Sequence, residues 1–247
     1  MKLILLRHGE SQWNLENRFT GWKDVDLTSN GIKEANYAAE QIIKENFSIS
    51  SIYTSQLIRA IHTAKIVASK INYPFSKLKY DWRLNERHYG SLQGLNKSET
   101  AAKFGEEKVL IWRRSFDTPP PSMNINDKRH PRFNPKFKSI RNKDLPSGES
   151  LKMVIERIYP FWEKYLKYFR NDDKNHIIVA HSNSLRAIVK ILDELSEKEI
   201  MKVNIPTGVP LVYDLDNANN VINKKYLIDK EQLQIKQDLV EKQGKVR

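Results

Sequence analysis

Leu3-Ile4-Leu5-Leu6-Arg7-His8-Gly9-Glu10-Ser11 is the stretch on which the reading of this chain turns. Its first four residues have the length and composition of a short buried strand. The run ends in Arg7 and His8, a guanidinium that binds phosphate and an imidazole that can attack it. Gly9 follows, where the lack of a Cβ lets the backbone turn sharply. Open α/β sheets keep their ligands beyond the carboxyl ends of their strands. A strand that delivers Arg-His-Gly to that edge predicts His8 as a nucleophile that becomes phosphorylated.

Beyond it lies a polar loop, 11–26, holding Asn14, Thr20, Gly21 and Trp22. A helix is expected next, N-capped by Thr28, with Ile32, Ala35, Ala39, Ile42 and Ile43 on one face. Ser51-Ile52-Tyr53-Thr54 reads as a strand. A second helix from about Gln56 turns Ala60, Ala64, Val67 and Ile71 inward and carries Arg59 in its first turn. This β-α-β-α opening predicts a parallel sheet with right-handed crossovers. From about 81 to 145 the apolar pattern weakens. Glu99 to Phe104 and Glu106 to Arg114 read as short helices, and the Pro-rich 118–135 as irregular. An insertion this long in an α/β domain is usually functional, a wall or lid over the sheet edge. Regular structure resumes with a helix over 150–169, kinked at Pro160, with Leu151, Val154, Ile155, Ile158 and Trp162 inward. His176 to Ala180 reads as a second buried strand, followed by a helix. Ser196 caps a short helix. Pro210 to Leu215 and Val221 to Leu227 read as strands joined by a turn. The tail, 229–247, is polar and charged. The fold class expected is therefore α/β: a three-layer sandwich, its mostly parallel central sheet flanked by helices, carrying the insertion at about 81–145.

Two strands thus end in histidine, at His8 and His181. Alone, either is most simply a hydrogen-bonded core residue. As neighbours, flanked by Arg7 and Asn183, they would face one another where the helix from Ser182 aims free N–H groups and a positive dipole end. Arg59 adds a guanidinium. Arg113-Arg114 closes a helix in the insertion, where a phosphate contact and simple complementation of the helix dipole are equally good accounts. In Leu84-Asn85-Glu86-Arg87-His88-Tyr89-Gly90, Glu86 is either a surface ion pair or a proton-transfer group, whose pKa an adjacent phosphate would raise.

Composition narrows the classes. The chain has 247 residues, 39% hydrophobic and 29% charged, enough for a real core. It has no Cys, so it holds neither disulfides nor a Cys-based zinc site. No apolar run approaches the ~20 residues of a membrane span, and the first is too short for a signal peptide, so a cytoplasmic location is expected. The net charge of +12 suits an acidic small substrate or a Lys-rich solvated surface. A nucleic-acid binder would show steeply salt-dependent binding, and it would leave Arg7-His8-Gly9 and His181 without a purpose.

The string Leu5 to Asn14 resembles the signature of the histidine phosphatase superfamily. Asn17-Arg18-Phe19-Thr20-Gly21-Trp22, Leu84 to Gly90, Leu92-Gln93-Gly94-Leu95-Asn96-Lys97, Trp112-Arg113-Arg114 and Asn204 to Tyr213 narrow the resemblance to its 2,3-bisphosphoglycerate-dependent phosphoglycerate mutases. It spans nearly the whole chain, read as one domain over 1–247. It implies an isomerase of glycolysis and gluconeogenesis that interconverts 2- and 3-phosphoglycerate without a metal, through a phosphohistidine primed by 2,3-bisphosphoglycerate. An alternative on the same scaffold is a bisphosphoglycerate mutase or phosphatase. By resemblance His8 carries the phosphoryl group, His181 stabilises it in transfer and Glu86 moves the proton. Arg7, Ser11, Asn14, Arg59 and Asn183 hold phosphate. Thr20, Gly21, Arg87, His88, Tyr89, Lys97, Arg113 and Arg114 surround the rest of the substrate. Ser182 stands where the family has Gly, and its hydroxyl is a further candidate for phosphate. The resemblance also implies a homodimer or homotetramer, no nucleic-acid or membrane partner, and a mobile tail over 229–247 near the site mouth.

Overall fold

The computed structural model describes residues 1–169 and 174–243. In chain order the elements are β1 (Lys2–Arg7), α1 (Gln12–Leu15), α2 (Ser29–Lys44), β2 (Ile49–Thr54), α3 (Ile58–Lys70), β3 (Lys79–Tyr80), α4 (Lys97–Phe104), α5 (Glu106–Arg114), α6 (Leu151–Phe169), β4 (Asn175–Ala180), α7 (Ser182–Leu192), α8 (Glu197–Lys202), β5 (Pro210–Leu215), β6 (Val221–Tyr226) and α9 (Lys230–Lys242). The strands form one six-stranded sheet in the order β3-β2-β4-β1-β5-β6. β1 lies parallel to β4, with Leu3 opposite His176 and Arg7 opposite Ala180. On its other side it runs antiparallel to β5.

The unbroken apolar run of β1 follows from cover on both faces. Side chains alternate across the sheet. Leu3 and Leu5 pack with Val154, Ile158 and Trp162 of α6 and Leu185 and Ile188 of α7. Ile4 and Leu6 pack with Ala38 and Ile42 of α2 and Ala64 and Val67 of α3. These are the three layers expected.

Several local details differ from the sequence expectations. Thr28 caps α2, its hydroxyl accepting from the Gly31 N–H at 3.0 Å. However, Ile32 and Ile43 are exposed, and the buried face is Gly31, Ala35, Ala38, Ala39 and Ile42. The two isoleucines sit about 60–80° round the helix from Ala35, on the shoulder of the stripe. β3 is an addition, two exposed residues beside β2 whose sequence carries no apolar alternation. As expected, the 150–169 stretch is helical, as α6, with Pro160 inside it. Gly9 is not in the left-handed region; it is needed because a Cβ there would lie 2.1 Å from the carbonyl oxygen of Gly31. Close approach, rather than a sharp turn, is what the glycine serves.

The insertion is organised around small cores of its own. Phe19, Leu92, Ala101, Val109 and Trp112 make one; Trp22, Leu57, Phe137, Ile140 and Leu145 make another. Both include residues of the 11–26 loop, so loop and insertion form one wall. The tail folds as α9, capped by Asp229. Its last four positions, 244–247, lie outside the described residues.

Candidate active site

β1 and β4 end side by side, and the His8 N–H continues their pairing by donating to the Ala180 carbonyl at 3.0 Å. The next residue of β4 is His181. The two imidazoles meet edge to face, with centroids 4.9 Å apart. His8 Nδ1 lies 2.7 Å from the Gly9 carbonyl oxygen. A carbonyl only accepts, so Nδ1 carries the proton and Nε2 keeps its lone pair. Arg59 Nε approaches that nitrogen at 3.3 Å. Burial, then the charges of Arg59 and Arg7, hold His8 well below the usual histidine pKa. His181 is lowered likewise, by burial and then by Arg59, His8 and Arg7. Its Nε2 is bonded to the Ser55 hydroxyl at 2.7 Å, and its Nδ1 is buried without a partner among the described residues. Both rings are therefore neutral at pH 7, and one presents a lone pair.

The cations are held by backbone carbonyls. Arg7 Nη1 donates to the Ile205 carbonyl at 2.7 Å. Arg59 donates to the Gly21 and Lys23 carbonyls at 2.9 and 3.0 Å, which leaves Nε for His8. Burial brings its pKa to about 10. From the insertion come Lys97, pulled well down by burial and by Arg113, and Arg113 itself, at about 10. Arg114 reaches Asn204 Oδ1 at 2.6 Å. All of these line one pocket, together with His8, Asn14, Thr20, Glu86, Tyr89, Ser182 and Asn183. Seven of its lining residues are cationic and one, Glu86, is a carboxylate. Glu86 Oε1 accepts from the Arg87 N–H at 2.8 Å and from the N–H and side-chain amide of Asn183 at 3.1 and 3.0 Å. The carboxylate thus occupies the helix N-terminus predicted to be free for phosphate. Ser182 opens α7 outside the left-handed region, so its Cβ imposes no backbone strain.

Five candidates stand behind the pocket wall instead of lining it, His181 against the His8 ring and four others. Ser11 caps α1 and bonds Asn14 Oδ1 at 2.9 Å, so it sets Asn14. Gly21 offers its carbonyl to Arg59. Arg87 donates to the carbonyls of Trp112 and Arg113, both at 2.7 Å, and so ties the Glu86 turn to the end of α5. His88 points away from the pocket toward Trp22 and His130, and burial pushes its pKa down to about 3. The pocket also gains Arg18, Arg186, Val240 and Gln243, which the sequence reading did not single out. Arg18 lies inside a quoted string, and Arg186 follows Asn183 by one helical turn. The two tail residues carry no local signal, although Gln243 accepts from Lys97 Nζ at 3.0 Å.

A buried ion pair fixes the turn that displays Glu86. Arg157 of α6 meets Glu149 at 2.7 and 3.1 Å, and it also donates to the carbonyls of Arg83 and Glu86 at 2.6 and 3.3 Å. Glu149 accepts from the His88 N–H at 2.8 Å. The side chains are only 6% and 4% exposed. Glu149→Gln leaves a buried guanidinium without its counter-charge and should destabilise the fold by about 3 kcal/mol. A denaturant midpoint unchanged from the parent would show that the pair is not a clamp.

The profile of the histidine phosphatase superfamily (branch 1) matches residues 3–225. The chain belongs to that superfamily. Histidine phosphatase relatives from Borreliella burgdorferi (strain ZS7) and Borreliella afzelii (strain PKo) are each 49% identical over 246 residues, spanning 100% of this chain and 99% of theirs. Both are named 2,3-bisphosphoglycerate-dependent phosphoglycerate mutase. A mycobacterial glucosyl-3-phosphoglycerate phosphatase in complex with VO3 superposes with a TM-score of 0.69 at 21% identity, covering 92% of this chain and 98% of that one. An α-ribazole phosphatase from Shigella flexneri gives a TM-score of 0.64 at 22% identity, covering 90% and 93%. These two share the histidine phosphatase fold.

Proposed function

We propose that this chain is a phosphoglycerate mutase, interconverting 2-phosphoglycerate and 3-phosphoglycerate through a phosphorylated His8 loaded from 2,3-bisphosphoglycerate. One observation carries the reading: a neutral His8 presents Nε2 inside a pocket of seven cations and one carboxylate. The paired histidines alone suit any member of the superfamily. Lys97, Arg113 and Arg114 extend the positive surface into the insertion, where a second phosphate or a carboxylate would sit. Buried nitrogens without partners among the described residues fit such a polyanion: Arg7 Nε and His181 Nδ1.

2,3-Bisphosphoglycerate supplies the phosphoryl group that loads the enzyme. In that step His8 Nε2 forms the N–P bond as a P–O bond to the glycerate breaks. His8 Nδ1 stays on the Gly9 carbonyl and disperses the positive charge of the ring. Arg7, Arg59 and Asn183 surround the equatorial oxygens, where charge spreads in the transition state. Glu86 gives its proton to the departing glycerate oxygen and takes one back from the hydroxyl that next attacks. Val240 of α9 and Gln243, the residue that follows the helix, stand at the pocket, where they cover it from water that would hydrolyse the phosphohistidine. The reading carries a cytoplasmic, dimeric or tetrameric enzyme.

The test follows 3-phosphoglycerate to 2-phosphoglycerate in EDTA, with and without trace 2,3-bisphosphoglycerate. Conversion that persists in EDTA and is accelerated by the trace ester is the expected result. No conversion, or conversion that EDTA abolishes, would overturn the reading. Release of inorganic phosphate in place of isomerisation would move it to the bisphosphoglycerate phosphatase alternative.

A further inference from the structure

Arg186 lines the pocket and grips the amide of Asn183, the residue that in turn donates to Glu86. It lies on α7 three residues after Asn183, so the two share a helix face. Its guanidinium is 1% exposed. Nη1 donates to Asn183 Oδ1 at 2.9 Å, and Nη2 donates to the Ile200 carbonyl, in α8, at 2.7 Å. A guanidinium has donors only, so the atom it grips must be the amide oxygen. That settles which way the Asn183 amide faces. Its NH2 end is turned to Glu86 Oε1 at 3.0 Å and to the Tyr89 hydroxyl at 3.2 Å. Reversed, the amide would set its oxygen against the carboxylate, acceptor against acceptor.

We infer that Arg186 is a positioning residue for the proton-transfer group: by holding the Asn183 oxygen, and itself held by Ile200, it keeps the amide's donors on Glu86 through the catalytic cycle. The inference rests on Glu86 being that group, as proposed above. The two-pronged grip needs a planar fork with separated donors, which Arg has and Lys lacks. Burial, with Arg114 and Arg87, lowers the Arg186 pKa only to about 9, so the fork stays charged at neutral pH. Glu86 also faces Arg7 from β1, Arg59 from α3 and Lys97 from α4. Arg186 therefore acts on Glu86 in two ways, through its own charge and through the amide. Only the second disappears when Asn183 is removed.

The test is a double-mutant cycle on the full chain. Arg186→Met should lower kcat by about tenfold or more while KM changes by less than about threefold. In an Asn183→Ala background, the same change should lower kcat by less than about twofold further. Additive losses, or an effect confined to KM, would overturn the inference and make Arg186 an independent contact to the ligand. If circular dichroism shows that Arg186→Met does not fold, Arg186→Lys replaces it in the cycle; it should lose kcat in the parent but not in Asn183→Ala. Parental kcat in Arg186→Lys would show that a point charge suffices, which also overturns it. Glu86→Gln is measured alongside. Unchanged turnover there withdraws Glu86 and the proposed mechanism with it, whereas impaired turnover with an additive cycle withdraws Arg186 alone.

Discussion

His8→Ala should reduce turnover by roughly 10⁵-fold or more, to the limit of detection, and remove the acid-labile phosphoenzyme. The expectation follows from how the ring is held. The Gly9 carbonyl fixes the proton on Nδ1, and burial with two arginines nearby keeps Nε2 unprotonated. Water admitted by the truncation is a poor nucleophile in a site that has no other carboxylate to activate it. The assay is isomerisation of 3-phosphoglycerate, with quench-labelling by radioactive 2,3-bisphosphoglycerate. Survival of the labelled enzyme would reassign the nucleophile to His181, the neighbouring imidazole, whose Nδ1 has no partner among the described residues.

Glu86→Gln should cut turnover by about 10²–10⁴-fold while leaving phosphate affinity equal or tighter. Glu86 is the single acid among the pocket residues, and its Oε1 already collects three N–H donors. The amide can keep much of that shape but cannot carry the proton. It also removes the one negative charge an incoming phosphate must displace from the start of α7. Competition by vanadate measures the affinity and steady-state kinetics the turnover. Turnover within twofold of the parent would return Glu86 to a structural role.

Much of this was legible in the sequence because the site is built at strand ends. Unbroken apolar runs mark β1 and β4, and the residues that follow them, His8 and His181, fall at the sheet edge by geometry alone. The insertion was harder to read. Its cores draw on Phe19, which packs with Ala101, Val109 and Trp112 of α4 and α5, and on Trp22, which packs with Phe137, Ile140 and Leu145, pairings across long stretches of chain without local periodicity. β3 was missed because two exposed residues carry no pattern. Ile32 and Ile43 misled because apolarity at a helix shoulder looks like apolarity on its face. Ser11, Gly21, Arg87 and His88 were close in sequence to pocket residues, and the structure uses them one layer back. Arg186, Glu149 and Arg157 were missed for a different reason: they act on other residues, and a sequence shows residue types but not which amide or turn they hold.

The position of β1 has a consequence for how the molecule is made. It precedes both of its partners in the chain and lies in the middle of the sheet, between β4 at Asn175–Ala180 and β5 at Pro210–Leu215. At typical synthesis rates its partners emerge about 8–40 s later. Until then the chain carries an apolar segment with open hydrogen-bonding edges on both sides, the kind of segment that chaperones bind. The nascent chain therefore contains His8 well before the strands that complete the pocket around it, so catalytic competence waits on a long-range pairing.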